Sequence, residues 1–89
     1  MRLDKFLKVS RLIKRRTLAK EFCDRGQVLL NGRVAKAGAE VKRGDLIIVN
    51  FGFRQIKIEV LDCLENVPAK TAASLYRVLE EKKRTTEEE

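Results

Sequence analysis

The dipeptide Asn31-Gly32 restricts the fold of this chain more than any other local feature, because it separates two short runs of strand-forming residues. Both residues tolerate the positive φ angles of a type I′ turn, which joins neighbouring antiparallel strands. We therefore predict a β-hairpin with strands over Val28–Leu30 and residues 33–35. The residues before this hairpin show helical spacing, and most of those after it show strand spacing.

The first helix is predicted over Leu3–Val9, where apolar residues recur at i, i+3 and i+4 and so share one helical face. Asp4 and Lys8 lie one turn apart on another face, and we expect them to form an ion pair. Residues 10–14 should form a short connection to the next helix.

A second helix should begin near Arg15 or Arg16 and end near Asp24 or Arg25. Gly26 then suits the C′ position, where the backbone adopts a positive φ angle. The residues that continue the helical spacing are Leu18, Ala19, Phe22 and Cys23.

The two faces of this second helix have different predicted roles. Leu18 and Phe22 form an apolar stripe that we expect to face the core. Arg16 and Lys20 lie one turn apart on the other side, where they can reach a ligand. Thr17 is a candidate for a local cap at the start of the helix.

Two further strands are predicted after a turn at residues 42–45. Residues 46–51 are rich in strand formers and should make a central strand, and residues 55–60 alternate apolar and polar side chains like a half-buried antiparallel neighbour. Phe51 and Phe53 flank the connection between them. We expect these rings to seal the small core, with base stacking as the open alternative.

The C-terminal part is predicted to contain a third helix over residues 69–83, since Pro68 is suited to a helix start. Its amphipathic stripe has the spacing i, i+3, i+4 and i+7 and consists of Ala72, Leu75, Tyr76 and Leu79. The polar, acidic end of the chain should be a frayed tail.

The predicted fold class is α+β, with two N-terminal helices on a small antiparallel or mixed sheet that includes the hairpin, plus the C-terminal helix. A chain of 89 residues is the size of one small domain. We predict a main domain over residues 1–66, a helix that packs on it or extends it over residues 67–84, and a disordered acidic tail over residues 85–89.

Positive charge is concentrated near the N-terminus, where residues 1–25 carry nine Lys or Arg against three acids, a net +6 of the chain's total of +7. Such clustering indicates a polyanionic partner, and few aromatic residues accompany it, which favours structured RNA. Arginines bind phosphates bidentately and are the better candidates for specific contacts. The predicted RNA-binding residues are Arg2, Lys5, Lys8, Arg11, Lys14, Arg15, Arg16 and Lys20.

The sequence offers little support for an enzyme, a metal site, a cofactor or a small-molecule substrate. It contains no His, and no nucleophile beside a base. Cys23 and Cys63 fall short of a zinc site's usual ligand set and read as small buried hydrophobes. No apolar run is long enough for a membrane helix and no signal peptide is evident, so we expect a cytoplasmic protein with no membrane partner.

An ordered series of motifs occupies about residues 1–49. The motifs are Arg2-Leu3-Asp4-Lys5-Phe6-Leu7, Arg15-Arg16-Thr17, Gly26-Gln27-Val28, Val28-Leu29-Leu30-Asn31-Gly32 and Lys42-Arg43-Gly44-Asp45. This series resembles the RNA-binding domain named after ribosomal protein S-four, which implies an RNA-binding domain over residues 1–66. Arg2 and Arg16 match RNA-contacting arginines of that family. The opening segment is similar to the bacterial ribosome-associated quality-control factors of the superfamily, with the ribosome-associated heat-shock protein as a close relative.

The resemblance implies a non-catalytic factor that binds the obstructed large ribosomal subunit, with large-subunit rRNA and P-site peptidyl-tRNA as its RNA partners. It also implies cooperation with an RqcH-type tailing factor during alanine tailing of stalled nascent chains. A heat-shock-type ribosome recycling factor or a general rRNA-binding chaperone is the alternative. An RNA-guiding module once attached to a modifying enzyme is a third class.

Overall fold

A computed structural model describes residues 1–65 and 67–83 of the chain. The elements in chain order are α1 (Leu3–Val9), α2 (Arg16–Asp24), β1 (Val28–Leu30), β2 (Arg33–Val34), β3 (Leu46–Asn50), β4 (Arg54–Val60), α3 (Ala69–Ala72), a 3₁₀ turn (Ala73–Leu75) and β5 (Tyr76–Lys83). The strands form one sheet in the order β2-β1-β3-β4-β5, and every neighbouring pair is antiparallel. The predicted α+β class is confirmed.

The hairpin forms as predicted. Leu30 pairs with Arg33 across the turn, and both turn residues have positive φ angles, 53° at Asn31 and 86° at Gly32. The Asn31 side chain also connects this turn to the next one, since its Nδ2 donates to Asp45 Oδ1 at 3.2 Å and its Oδ1 accepts the Leu46 N–H at 2.9 Å. Asn31 therefore sets the turn conformation and also positions the start of β3.

The core lies between the two N-terminal helices and one face of the sheet. Helix α1 contributes three fully buried side chains to the core, Leu3, Phe6 and Leu7. From the central strands the core takes alternate residues, which are Ile47 and Val49 of β3 and Ile56, Ile58 and Val60 of β4. The predicted period-two burial of β4 is confirmed.

The end of α2 is also as predicted. Gly26 has a φ angle of 75°. Its N–H donates to the Cys23 carbonyl at 3.0 Å, and the Gln27 N–H donates to the Phe22 carbonyl at 2.9 Å. This pair of bonds is the Schellman arrangement that ends a helix at a glycine.

The buried face of α2 differs from the predicted one. Ala19 and Cys23 are buried, Phe22 is half-buried, and Leu18 is 39% exposed. Small side chains at Ala19 and Cys23 allow α2 to approach α1 closely, so the contact line runs through them. The prediction that Leu18 faces the core is wrong.

The predicted C-terminal helix over residues 69–83 is wrong beyond its first turn. A helix does begin at Ala69, but it ends at Ala72, and residues 76–83 form strand β5. This strand runs along β4 from the pair Val60 with Tyr76 to the pair Arg54 with Lys83.

Residues 76–83 form a strand and not a helix because the edge of β4 is open to pairing. A short isolated helix is marginally stable in water, whereas an open strand edge offers a full row of backbone hydrogen bonds. Ala72 and Leu75 of the expected apolar stripe are buried, but Leu79 is 44% exposed in the strand. The predicted helical stripe is therefore buried only as far as the 3₁₀ turn.

The boundaries at residues 66 and 84 stay predictions, and the expected acidic tail over residues 85–89 lies outside the described residues. No helix in the described part of the chain is long and apolar enough to cross a membrane. Among the same residues, no group of three or more potential metal ligands comes together.

Candidate nucleic-acid interface

The predicted RNA-binding residues all belong to α1, α2 and the segments that flank them. Lys5 is half-buried, whereas the other seven are exposed: Arg2, Lys8, Arg11, Lys14, Arg15, Arg16 and Lys20. Their surroundings divide them into three groups, according to whether each side chain is held by Asp4, paired with another acid or left without an ion pair.

Asp4 lies in the first turn of α1 and brings Arg2 and Arg16 together. Its side chain is 5% exposed. Arg2 Nε is 3.2 Å from Oδ1 and Arg2 Nη2 is 3.4 Å from Oδ2, while Arg16 Nε is 3.4 Å from Oδ2. The expected pair of Asp4 with Lys8 is wrong, because within residues 1–65 and 67–83 Asp4 pairs with these two arginines.

Both arginines remain accessible while they hold Asp4, with side-chain exposures of 53% for Arg2 and 47% for Arg16. Burial by itself raises the pKa of Asp4, but the hydrogen bonds and positive charges of Arg2 and Arg16 outweigh burial and leave this pKa below its usual value. Asp4 is therefore a carboxylate at neutral pH. It fixes one edge of each guanidinium, and the remaining N–H groups face the surface.

The loop after the hairpin holds the start of α1 in place. The Leu3 N–H donates to the Ala39 carbonyl at 2.8 Å, and the Asp4 N–H donates to the Ala37 carbonyl at 3.1 Å. Between these two contacts lies Gly38, where an added Cβ would be 3.7 Å from the Arg2 guanidinium carbon. Arg2 is thus seated on a loop backbone, whereas its position before α1 in the sequence suggests a mobile end.

Arg11 occupies an unusual backbone conformation directly after α1. Its φ angle is 67°, in the left-handed region where glycine is favoured. The chain turns there because the Arg11 N–H donates to the Lys8 carbonyl at 3.0 Å and the Ile13 N–H donates to the Leu7 carbonyl at 3.1 Å. The buried Ile13 side chain anchors the connection, and Arg11 is exposed at its outer side.

Two of the eight candidates are partly neutralised by other acids. Lys5 Nζ is 2.7 Å from Glu65 Oε1, and Lys20 Nζ is 4.0 Å from Asp24 Oδ2. A further four make no ion pair among the residues that the structure describes, namely Lys8, Arg11, Lys14 and Arg15. Among the predicted RNA-binding residues, those without an ion pair therefore lie at the end of α1 and on the connection to α2.

The N-terminus of α2 adds to this positive region. Arg15 is its N-cap residue and makes no side-chain cap hydrogen bond, and the first turn contains no acid. The predicted cap by Thr17 is thus wrong, since Thr17 lies inside the helix. Backbone N–H groups at an uncapped N-terminus can bind an anion.

Sequence reasoning selected the arginines and missed what connects them. Asp4 is the residue that Arg2 and Arg16 share. Arg2 and Asp4 are two residues apart, so their contact had a local signal, but the contact of Asp4 with Arg16 depends on how α1 packs against α2.

The sequence was compared with protein families and with individual proteins, and the two comparisons agree with each other. The S4 domain family matches residues 1–47. The chain is 54% identical over 81 residues to the RQC P-site tRNA stabilizing factor of Halalkalibacterium halodurans, covering 91% of this chain and 92% of that protein. It is 51% identical over 83 residues to the factor of the same name in Bacillus subtilis, covering 93% and 96%.

A solved structure has the same fold as this chain. It is the trimeric structure of Vibrio cholerae Heat Shock Protein 15, with a TM-score of 0.82 and 33% sequence identity. The match covers 88% of this chain and 80% of the other.

Proposed function

The chain belongs to the S4-domain family of RQC P-site tRNA stabilizing factors, and we propose that it is a non-catalytic RNA-binding factor of ribosome-associated quality control. In this proposal it binds the obstructed large ribosomal subunit, where it contacts rRNA and P-site peptidyl-tRNA. It would act in the cytoplasm, where ribosomes are found. Its relatives are named as stabilizing factors and not as enzymes, which supports a role in holding tRNA.

The observation that carries the proposal is the shared contact of Arg2 and Arg16 with buried Asp4. A guanidinium that is already ordered loses less side-chain entropy when it binds a phosphate. Two such groups at a fixed separation fit a particular arrangement of phosphates, as in a folded RNA. A set of mobile lysines would not select one arrangement over another.

The surrounding cations would supply affinity without selecting a sequence. Lys8, Arg11, Lys14 and Arg15 are exposed and unpaired within the described residues, and they border the uncapped start of α2. Contacts to phosphates release counterions and orient a protein on its RNA. Lys5 and Lys20 would contribute less, because each is already paired with an acid.

By holding the tRNA in place, the protein would support alanine tailing of the stalled nascent chain together with an RqcH-type tailing factor. The experiment is isolation of the tagged protein from cells, with Arg16→Ala as the comparison. We expect the unmodified protein to bring down large subunits that carry peptidyl-tRNA, together with the tailing factor. Recovery of free rRNA or vacant subunits alone would contradict the proposal.

A heat-shock-type recycling factor is the second candidate, favoured by the structural similarity to Heat Shock Protein 15. A general rRNA-binding chaperone would use the same surface. Deletion of the gene separates these functions, because only the quality-control role requires that alanine tails on stalled chains decrease. Unchanged tails with accumulated subunit-bound peptidyl-tRNA would favour recycling.

A further inference from the structure

The turn between β3 and β4 carries a stack of rings that ends in an exposed phenylalanine. Phe22 of α2 packs edge-on against Phe51, with ring centroids 5.6 Å apart. The Arg54 guanidinium lies 5.0 Å from the Phe51 centroid and 5.9 Å from the Phe53 centroid. Arg54 is therefore placed against both rings, and Phe53 forms the outer end of the row.

The two rings beside this turn have different environments, so they require different explanations. Phe51 is half-buried against the core, as expected for a ring that seals it. Phe53 is 68% exposed. The prediction that these rings seal the core is therefore confirmed for Phe51 and wrong for Phe53, whose aromatic character core packing leaves unexplained.

The turn is built so that it presents Phe53 in a defined position. The Gly52 N–H donates to Asn50 Oδ1 at 2.8 Å, and the Phe51 N–H donates to the Arg54 carbonyl at 2.8 Å. Arg54 Nη1 is also held 3.0 Å from Glu81 Oε2 on β5. Ordering of this kind reduces the entropy lost when a flat ligand stacks on the ring.

A shallow polar cleft of about 270 Å³ lies beside the same turn, and its lining is suited to an anion. The residues that line it are Asn50, Gly52, Arg54, Gln55, Lys82 and Lys83. Glu81 is engaged by Arg54, and Lys82 is 3.8 Å from Glu80. Lys83 makes no ion pair within the described part of the chain and pairs in register with Arg54, so positive charge is available in the cleft beside the turn.

We propose that this turn is a second RNA contact, in which an unpaired base stacks on Phe53 while Lys83 binds its phosphate. Stacking on an exposed ring beside cations is how single-stranded RNA is held without sequence selection. The site rests on the proposed function for its RNA partner, but it lies away from Arg16. Phe22, which reaches the turn, is six residues further along α2, or about 9 Å along the helix axis.

The chain contains no Trp, so a single introduced Trp reports on stacking. The experiment compares Phe53→Trp with Val34→Trp, a matched position that is 65% exposed on β2. Both are titrated with a short single-stranded oligoadenylate, which forms no base pairs. We expect saturable quenching of Phe53→Trp and little change in Val34→Trp, and equal quenching of the two would overturn the proposal.

Binding of a labelled oligoadenylate then tests the unmodified site. Phe53→Leu should weaken binding about tenfold, whereas Phe53→Tyr should keep it, because only the second retains a ring for stacking. Equal affinity of Phe53→Leu and the unmodified protein would overturn the proposal. A Phe53→Leu variant that lost a protein partner but still bound the oligonucleotide would overturn it too. Because the probe is not a ribosome, failure here leaves subunit binding through Arg16 as a separate result.

Discussion

The carboxylate of Asp4 is shared by two arginines of the candidate interface, so these three side chains act as one unit. Removal of a single arginine leaves Asp4 with the other one as its partner. Removal of Asp4 releases both arginines while the net charge of the protein becomes more positive. Substitutions at these positions can therefore distinguish an ordered arginine pair from a diffuse positive field.

We expect Arg16→Ala to weaken binding to large ribosomal subunits by roughly ten- to a hundredfold, the effect of losing a charge-assisted contact of about 1.5–3 kcal/mol. Its cost in folding stability should be about 1 kcal/mol, because Arg2 still pairs with Asp4. Co-sedimentation and thermal melting measure the two effects. The matched control is Arg77→Ala, which removes an exposed, ion-paired arginine on β5. Equal losses for both variants would leave only diffuse charge.

Asp4→Asn should also weaken subunit binding, by about tenfold, although it makes the protein more basic. The amide is nearly the same size but cannot hold two guanidinium groups by charge, so Arg2 and Arg16 lose their common anchor. Co-sedimentation at constant salt measures the change. Tighter binding by Asp4→Asn would show that net charge, and not the arrangement of the arginines, determines affinity.

The charge of Asp4 should also make the folding stability of the protein depend on pH, and Asp4→Asn should remove this dependence. Since the pKa of Asp4 is lowered in the folded protein, its ionised form stabilises the fold at pH values above the pKa of the unfolded chain. This contribution is lost as the pH falls below about 4. The difference in free energy of unfolding between the unmodified protein and Asp4→Asn should therefore shrink from pH 7 to pH 3. Urea unfolding at each pH measures it, and a constant difference would contradict the role of the charge.

At the scale of elements, the connection between α1 and α2 keeps an arginine where glycine would be less strained. The left-handed conformation costs a non-glycine residue roughly 1–2 kcal/mol, part of which is offset because glycine makes the unfolded chain more flexible. Arg11 is exposed in that conformation among the unpaired cations. The strain is consistent with a side chain that is needed for binding.

Arg11→Gly should therefore stabilise the protein by about 0.5–1 kcal/mol while it weakens subunit binding. Arg11→Ala is the control, because it removes the same charge and keeps the strained backbone. Both variants should bind less tightly, but only the glycine variant should melt at a higher temperature. If Arg11→Gly gained stability with no loss of binding, Arg11 would not be a contact residue.

At the scale of the whole molecule, a net charge of +7, of which +6 lies in residues 1–25, predicts strong salt dependence. Each phosphate contact adds about 0.7–0.9 to the slope of log affinity against log salt concentration. Subunit affinity should fall steeply between low and physiological salt at constant magnesium. Arg16→Ala should reduce the slope by about one unit. A flat dependence would indicate attachment through a protein surface instead.

The sequence by itself determined the elements that depend on local interactions. Asn31-Gly32 specified the hairpin because its turn conformation depends on those two residues, and the spacing of apolar residues specified the bounds of α1. The order of motifs along about residues 1–49 also identified the RNA-binding family, whose model matches residues 1–47. The role of each candidate RNA-binding residue stays a prediction.

Tertiary structure decided the features that depend on distant partners. Residues 76–83 have a partly helical pattern, but the open edge of β4 pairs with them as a strand. Asp4 is one turn from Lys8, yet it contacts Arg16 because α1 packs against α2. In both cases an interaction between distant segments outweighs a local preference of a few tenths of a kcal/mol per residue. Such an interaction exists only after the chain has folded, so local spacing does not reveal it.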